Sequence, residues 1–452
     1  MRTATHVARP TRAGRWIDHW DPEDPVFWAA TGRAVARRNL LLSILAEHLG
    51  FSVWLLWSAV VVFLPAAGHP FSIDQLFWLV ALPNLVGATL RLPYTFAVPR
   101  FGGRNWTVVS ALLLLAPLLL LVLAVGRPGT PYWVLLLAAA TAGLGGGNFA
   151  SSMANISFFY PERHKGTALG LNAAGGNVGV SVVQLLVPVV VTLGGGLHLA
   201  RAGLLWVLPV LVAALLAWRH MDNLSGARSA LREQTVAARR GHTWVMSFLY
   251  VGTFGSFIGY SAALPLLVKT QFPEVPAARF AFLGALVGSL SRPLGGWLAD
   301  RFGGARVTAV NFVAMAAGAL AVLGALRLHS FPAFLLAFLL LFVTSGLGNG
   351  STYRMIPAIF HARALAAGGD PASLLAGRRE AAAALGIASA VGAYGGFLVP
   401  RGYGSALAQT GRVDAAFYAF VAFYAGCLAV TWWCYLRQRV LPRVPSLTVA
   451  RI

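Results

Sequence analysis

Gly296-Trp297-Leu298-Ala299-Asp300-Arg301-Phe302-Gly303-Gly304-Ala305-Arg306 separates two apolar stretches, and its centre repeats a run met 201 residues earlier, Arg100-Phe101-Gly102-Gly103. The echo is not isolated. Thr141-Ala142-Gly143-Leu144-Gly145-Gly146-Gly147 returns 203 residues later as Thr344-Ser345-Gly346-Leu347-Gly348-Asn349-Gly350. Leu186-Val187-Pro188 returns as Leu398-Val399-Pro400, at a wider spacing that the long loop 360–380 absorbs. Self-similarity at a fixed period marks one structural unit used twice.

Between the repeated marks the chain is apolar. Hydrophobic residues make up 58% of the 452 and charged residues only 11%, about half the charge of an average soluble domain, with a mean hydropathy of +0.70. Runs of membrane-spanning length fall at 40–66, 75–98, 106–126, 132–158, 166–192 and 202–218, then at 244–268, 280–299, 307–327, 332–358, 381–399 and 415–436. The expectation is an all-α transmembrane protein of 12 helices in two six-helix bundles. Its predicted parts are an N-terminal segment 1–39, a first bundle 40–218, a polar linker 219–243, a second bundle 244–436 and a C-terminal tail 437–452. A soluble enzyme is excluded.

In a soluble chain a net charge of +21 would point to nucleic acid. Here most of the basic residues lie in the N-terminal segment, the linker, the tail and alternate loops, which by the positive-inside rule makes both termini cytoplasmic; no nucleic-acid partner is expected. The first 39 residues hold no short apolar core followed by a cleavage site, so the first span is expected to be retained. Cys427 and Cys434, seven apart in one apolar run, form neither a CxxC nor a disulfide framework. No metal site or cofactor is expected. No nucleophile, base or metal cluster lies at depth, so the chain reads as no enzyme.

Charges inside the apolar runs carry the functional argument, since each costs about 2.5–3.5 kcal/mol at a helix centre. Arg91 precedes Arg100 by nine residues and Arg292 precedes Arg301 by nine, which puts both about 13 Å in from the loop at 1.5 Å per residue. Two units related by an axis along the membrane normal would present these guanidinium groups to one another at the midplane. No acid stands near either in sequence. A planar fork pairs bidentately with planar oxyanions, so two forks suit a small, flat anion that supplies the missing negative charge. A third arginine, Arg354, stands near the end of its run and reads as a snorkelling or helix-bridging residue. Dense glycines such as Gly143, Gly145, Gly146 and Gly147 read as close helix contacts.

The Gly296–Arg306 stretch resembles the loop motif of the major facilitator superfamily, with a degenerate first copy in which Val98-Pro99-Arg100 lacks the acidic residue. Gly145-Gly146-Gly147-Asn148-Phe149-Ala150-Ser151-Ser152-Met153-Ala154-Asn155-Ile156-Ser157-Phe158-Phe159 resembles the first signature of the nitrate/nitrite porter family, and Gly346-Leu347-Gly348-Asn349-Gly350-Ser351-Thr352 the second. Trp20-Asp21-Pro22-Glu23-Asp24-Pro25-Val26-Phe27-Trp28 is similar to the leader of bacterial members.

That resemblance implies two six-helix bundles that rock about a central site. It implies nitrate and nitrite as substrates, Arg91 and Arg292 as the substrate arginines, Phe149, Tyr250 and Phe254 as cavity aromatics and Asn177 as a hydrogen-bonding partner. The implied setting is the bacterial inner membrane, with a monomer in the lipid bilayer. Two facing cations repel when the cavity is empty, and a bound anion removes the repulsion, which motivates obligatory nitrate/nitrite antiport. Proton-coupled nitrate symport is the alternative, with Glu47 as the proton carrier; an anion channel or nitrate sensor is a more distant one.

Overall fold

The computed structural model describes residues 14–226 and 236–437. Residues 1–13 of the expected N-terminal segment, 227–235 of the expected linker and 438–452 of the expected tail lie outside them. Among the described residues, ten helices are long and apolar enough to cross a membrane, eleven with one bent pair. In chain order the helices are α1 (Pro25–Trp54, bent by 45° into Leu56–Phe63), α2 (Ile73–Phe101), α3 (Gly103–Val125), α4 (Tyr132–Phe159), α5 (Glu162–Thr192) and α6 (Ala200–His220). The second set is α7 (Gly241–Gln271), α8 (Ala281–Phe302), α9 (Gly304–Arg327), α10 (Phe331–Ala366), α11 (Pro371–Thr410) and α12 (Asp414–Leu436). Helix α8 falls on the eighth expected span but, with its glycines, serines and Arg292, is not among the ten.

The sequence repeat becomes a packing repeat. Helix α1 packs on α5, α2 on α4 and α3 on α6, while α7 packs on α11, α8 on α10 and α9 on α12. The halves meet along two seams, α2 against α11 and α5 against α8, which the repeat interchanges. The doubled Arg-Phe-Gly-Gly run turns each corner the same way: Gly102 and Gly303 cap α2 and α8 with φ of 87° and 90°, where a side chain would be strained.

The glycines of α4 and α10 let backbones touch. A Cβ on Gly146 would stand 2.7 Å from the Trp54 ring and 2.8 Å from the Gly87 Cα; one on Gly350 would stand 2.1 Å from the Arg292 carbonyl oxygen. The obstacle at Gly350 is backbone, which a rotamer change does not relieve. We therefore expect Gly350→Ala to push α8 and α10 apart and to lower the melting temperature of the purified protein by several degrees, whereas Gly296→Ala, with open space around its Cβ, leaves melting unchanged.

One boundary differs from the sequence reading. The first helix starts at Pro25, where Asp24 accepts the Val26 amide, so polar residues placed in the N-terminal segment are helical. The fold is all-α as expected; outside the helices, the two residues Trp16–Ile17 pair in parallel with Asn223–Leu224, and Ile17, Trp28, Val35, Ala36, Phe159 and Leu224 bury a small second core. This contact defines what we call the terminal face, where the N-terminal segment meets the segment after α6; the opposite face is distal.

Candidate anion-binding site

Arg91 and Arg292 sit at matching places in α2 and α8, and both are withdrawn from solvent, Arg91 at 0% and Arg292 at 5% exposure. The close approach at Gly146 serves Arg91 directly. Its Nε donates to the Gly146 carbonyl at 3.1 Å, and one terminal nitrogen donates to the Ser389 carbonyl of α11 at 2.8 Å. The guanidinium thus bridges the two halves. Its carbon lies 4.5 Å from the Phe149 ring centre, 5.0 Å from Phe254 and 5.2 Å from Trp54, within cation–π range of all three.

Arg292 is held more loosely. It donates to the Tyr250 hydroxyl at 3.3 Å and lies 5.3 Å from the Tyr353 ring. Tyr250 stacks on Phe254 at 5.3 Å, and Phe254 stacks on Phe149 at 6.1 Å, so an unbroken line of rings joins one arginine to the other. A five-residue π-helical segment, Val251–Gly255, interrupts α7 between Tyr250 and Ser256 and carries Phe254, the kind of local widening that recurs at functional sites.

One terminal nitrogen of each arginine has no hydrogen-bond partner among the described residues. Buried donors are almost always paired, and leaving a charged one unpaired is costly. Neither arginine forms an ion pair among the described residues. Two cationic donors and flat aromatic faces, with no carboxylate in direct contact with either guanidinium among the described residues, suit a small oxyanion. A cavity of about 280 Å³ reaches this place from the terminal face; Phe149 and Tyr353 line its inner end, and Lys165 and Arg378 line its outer part. A second cavity, of about 890 Å³, opens on the distal face.

The chain matches the model of the Major Facilitator Superfamily over residues 48–369. It is 44% identical to the nitrate/nitrite transporter NarU of Salmonella typhimurium, covering 94% of this chain and 96% of the relative. It is 41% identical to the probable nitrate/nitrite antiporter NarK2 of Thermus thermophilus, over 94% and 97%. The chain is a nitrate/nitrite porter of the major facilitator superfamily. Among solved structures, a D-xylose-proton symporter superposes with a TM-score of 0.66 at 16% identity, over 88% of this chain and 97% of that one, which supports the fold alone. These relatives and neighbours are multi-pass membrane transporters rather than enzymes.

Within this porter the sequence-predicted residues fall into three groups. Arg91, Arg292, Phe149, Tyr250 and Phe254 are joined by the contacts above. Asn177 is buried on α5, the helix that packs against α8, with its side-chain carbonyl oxygen unpartnered among the described residues. Glu47 touches neither arginine but lies within electrostatic reach of both, and one of its carboxylate oxygens accepts from Ser152 at 2.6 Å and Asn172 at 2.7 Å. It is fully buried and does not face a loop.

The structure adds Trp54, Tyr353 and the Ser389 carbonyl to the site. Tyr353 directly follows the second signature and was legible as a neighbour of it. Trp54 gave no signal beyond an apolar helix, and a backbone carbonyl gives none. Arg354 bridges helices, pairing with Asp300 of the loop motif.

Proposed function

We propose that this protein exchanges nitrate for nitrite across the bacterial inner membrane by alternating access, with the anion held between Arg91 and Arg292. The observation that carries the reading is the pair of buried guanidinium groups, each with an unpartnered nitrogen, at equivalent places in the two halves. Phe149 and Phe254 flank the anion, Tyr250 holds Arg292 in place and Asn177 donates to the anion from α5. The names borne by these relatives point to the same anions.

The charge argument explains why exchange should be obligatory. With no anion present, closing the site brings two cations together in a medium of low dielectric, where repulsion is strong. A bound anion turns that repulsion into attraction, so only the loaded protein passes readily between its two open forms. A single chain holds both arginines, so the monomer is the transporting unit. The distribution of basic residues supports cytoplasmic termini, an orientation that accounts for the net positive charge without a nucleic acid.

The test is isotopic nitrate uptake into proteoliposomes that are empty, nitrite-loaded, or empty with acid outside. Exchange predicts uptake only into nitrite-loaded vesicles and no response to the pH gradient; rapid uptake into empty vesicles at uniform pH would overturn it.

One observation favours proton-coupled symport as a second reading: Glu47 is a fully buried carboxyl group with hydrogen-bond donors but no cationic partner among the described residues. Under exchange, Glu47→Gln keeps the shape and one acceptor oxygen and leaves nitrite-driven uptake nearly unchanged. Acid-driven uptake in the parent that disappears in Glu47→Gln would select symport.

A further inference from the structure

The seam between α2 and α11 is not uniform along its length. At the level of the arginines it is joined by Arg91 to the Ser389 carbonyl and by Thr89 to the Tyr394 hydroxyl at 3.0 Å. Towards the terminal face, Thr95, Pro99, Ala382 and Gly386 line the terminal cavity instead. Towards the distal face the seam closes tightly: a Cβ on Gly396 would lie 2.8 Å from the Asn84 side chain, and one on Gly404 would lie 2.8 Å from Phe77.

At the distal end stands an ion pair. Arg401 of α11 donates to Asp74, in the first turn of α2, at 2.8 Å. Its guanidinium also lies 4.2 Å from the Trp78 ring, one turn along α2, and donates to Ser405 at 3.3 Å. The arginine side chain is 17% exposed and the aspartate side chain 35%, so the pair is partly shielded, and the stacked ring holds one partner in place. The Arg401–Asp74 pair links one six-helix half to the other. The repeat does not copy it: the Leu-Val-Pro offset of 212 relates Arg401 to Val189, and the Arg-Phe-Gly-Gly offset of 201 relates Asp74 to Val275.

We propose that Asp74, Arg401 and Trp78 form a one-sided latch that holds the distal side of the transporter closed and must open for the site to face that side. The inference goes beyond the anion site and does not depend on which anion is carried. Because the latch lies on one seam, distal opening starts at α2–α11, with α5–α8 acting as the hinge side. Anion charge is not needed to break it, so the latch biases the resting population toward the form closed at the distal face.

The experiment reads shape rather than transport, so it stands whether or not nitrate is the substrate. In a Cys427→Ala, Cys434→Ala background, spin labels are placed at Ala66→Cys and Ala408→Cys, exposed positions on opposite halves of the distal cavity. Pulsed electron resonance then gives their distance in detergent without nitrate or nitrite. Asp74→Asn and Arg401→Gln are each expected to raise the long-distance population about fivefold, and the swap Asp74→Arg with Arg401→Asp to return it toward the parent. No lengthening in the single variants, or lengthening that the swap does not reverse, overturns the latch. If a single variant fails to elute as a monodisperse species, Arg401→Lys carries the test: it keeps the charge, loses the stacked fork, and is expected to lengthen the distance less than Arg401→Gln.

Discussion

Arg91→Lys is expected to lower nitrite-driven nitrate exchange by about two orders of magnitude while leaving a folded, monodisperse protein. The native guanidinium uses two nitrogens on carbonyl groups of opposite halves, at Gly146 and Ser389, and keeps a third for the anion. A lysine ammonium is one compact charge on a flexible stem. It keeps the Coulomb attraction but cannot make all three contacts in a plane, and its loss of the flat stack on Phe149 and Phe254 leaves the anion less well placed. Losing one or two charge-assisted hydrogen bonds at about 1.5–3 kcal/mol each gives about a hundredfold. Arg292→Lys should act in the same direction and more weakly, because Arg292 has a single long hydrogen bond to lose. Exchange within a few fold of the parent in Arg91→Lys would show that charge alone suffices and would remove bidentate recognition from the mechanism.

The second large effect is on stability. In the second half, Asp300 of the loop motif pairs with Arg354 on an exposed surface, with side-chain exposures of 56% and 52%. In the first half the matching positions are Pro99 and Ser151, and neither residue is charged. The first half has a buried acid elsewhere on the same face. Asp222, just beyond α6 and 0% exposed, accepts from Arg15 at 2.7 and 3.0 Å, from Arg38 at 2.6 Å and from Asn39 at 2.9 Å, while its amide donates to the Asn39 side chain at 2.9 Å. Next to it, Asn223 bonds to the Gly14 carbonyl and to Asn105 at the start of α3.

Asp222→Ala removes a buried charge on which two cations and an amide converge, and such a break costs about 3–5 kcal/mol. The melting temperature of the purified protein is expected to fall by several degrees, and the N-terminal segment to become protease-sensitive. Asp300→Ala breaks an exposed pair worth about 0–1 kcal/mol and should leave melting almost unchanged. Equal effects of the two substitutions would mean that the N-terminal strap adds nothing to the first half.

Much of the fold was legible because a membrane imposes a simple rule. Each span has to satisfy its own backbone and present apolar side chains to lipid, so length and hydropathy alone marked the helices, and the repeated Arg-Phe-Gly-Gly corner related one half to the other. The two arginines were legible for the same reason: an unpaired charge deep in an apolar run is costly wherever the helix points. Their equal distance from equivalent corners was enough to place them at one depth.

Beyond the aromatic residues that the family resemblance implied, what touches them was not legible. The order of residues along a helix records which positions are tolerated at each depth, but it does not name the helix across the gap. The Ser389 carbonyl on Arg91, Trp54 beside it, Arg401 on Asp74 and the burial of Glu47 among Ser152 and Asn172 all join residues from different helices. Asp222 is the clearest case, a linker residue that gathers Arg15, Arg38 and Asn39 from more than 180 positions earlier in the chain. The sequence by itself determined the helices, their repeat and the depth of the charges, since these follow from solvation of one segment at a time. Only the tertiary structure decided which groups share those charges and which seam is latched, since hydrogen bonds and ion pairs act over a few ångströms and depend on how separate helices are brought together.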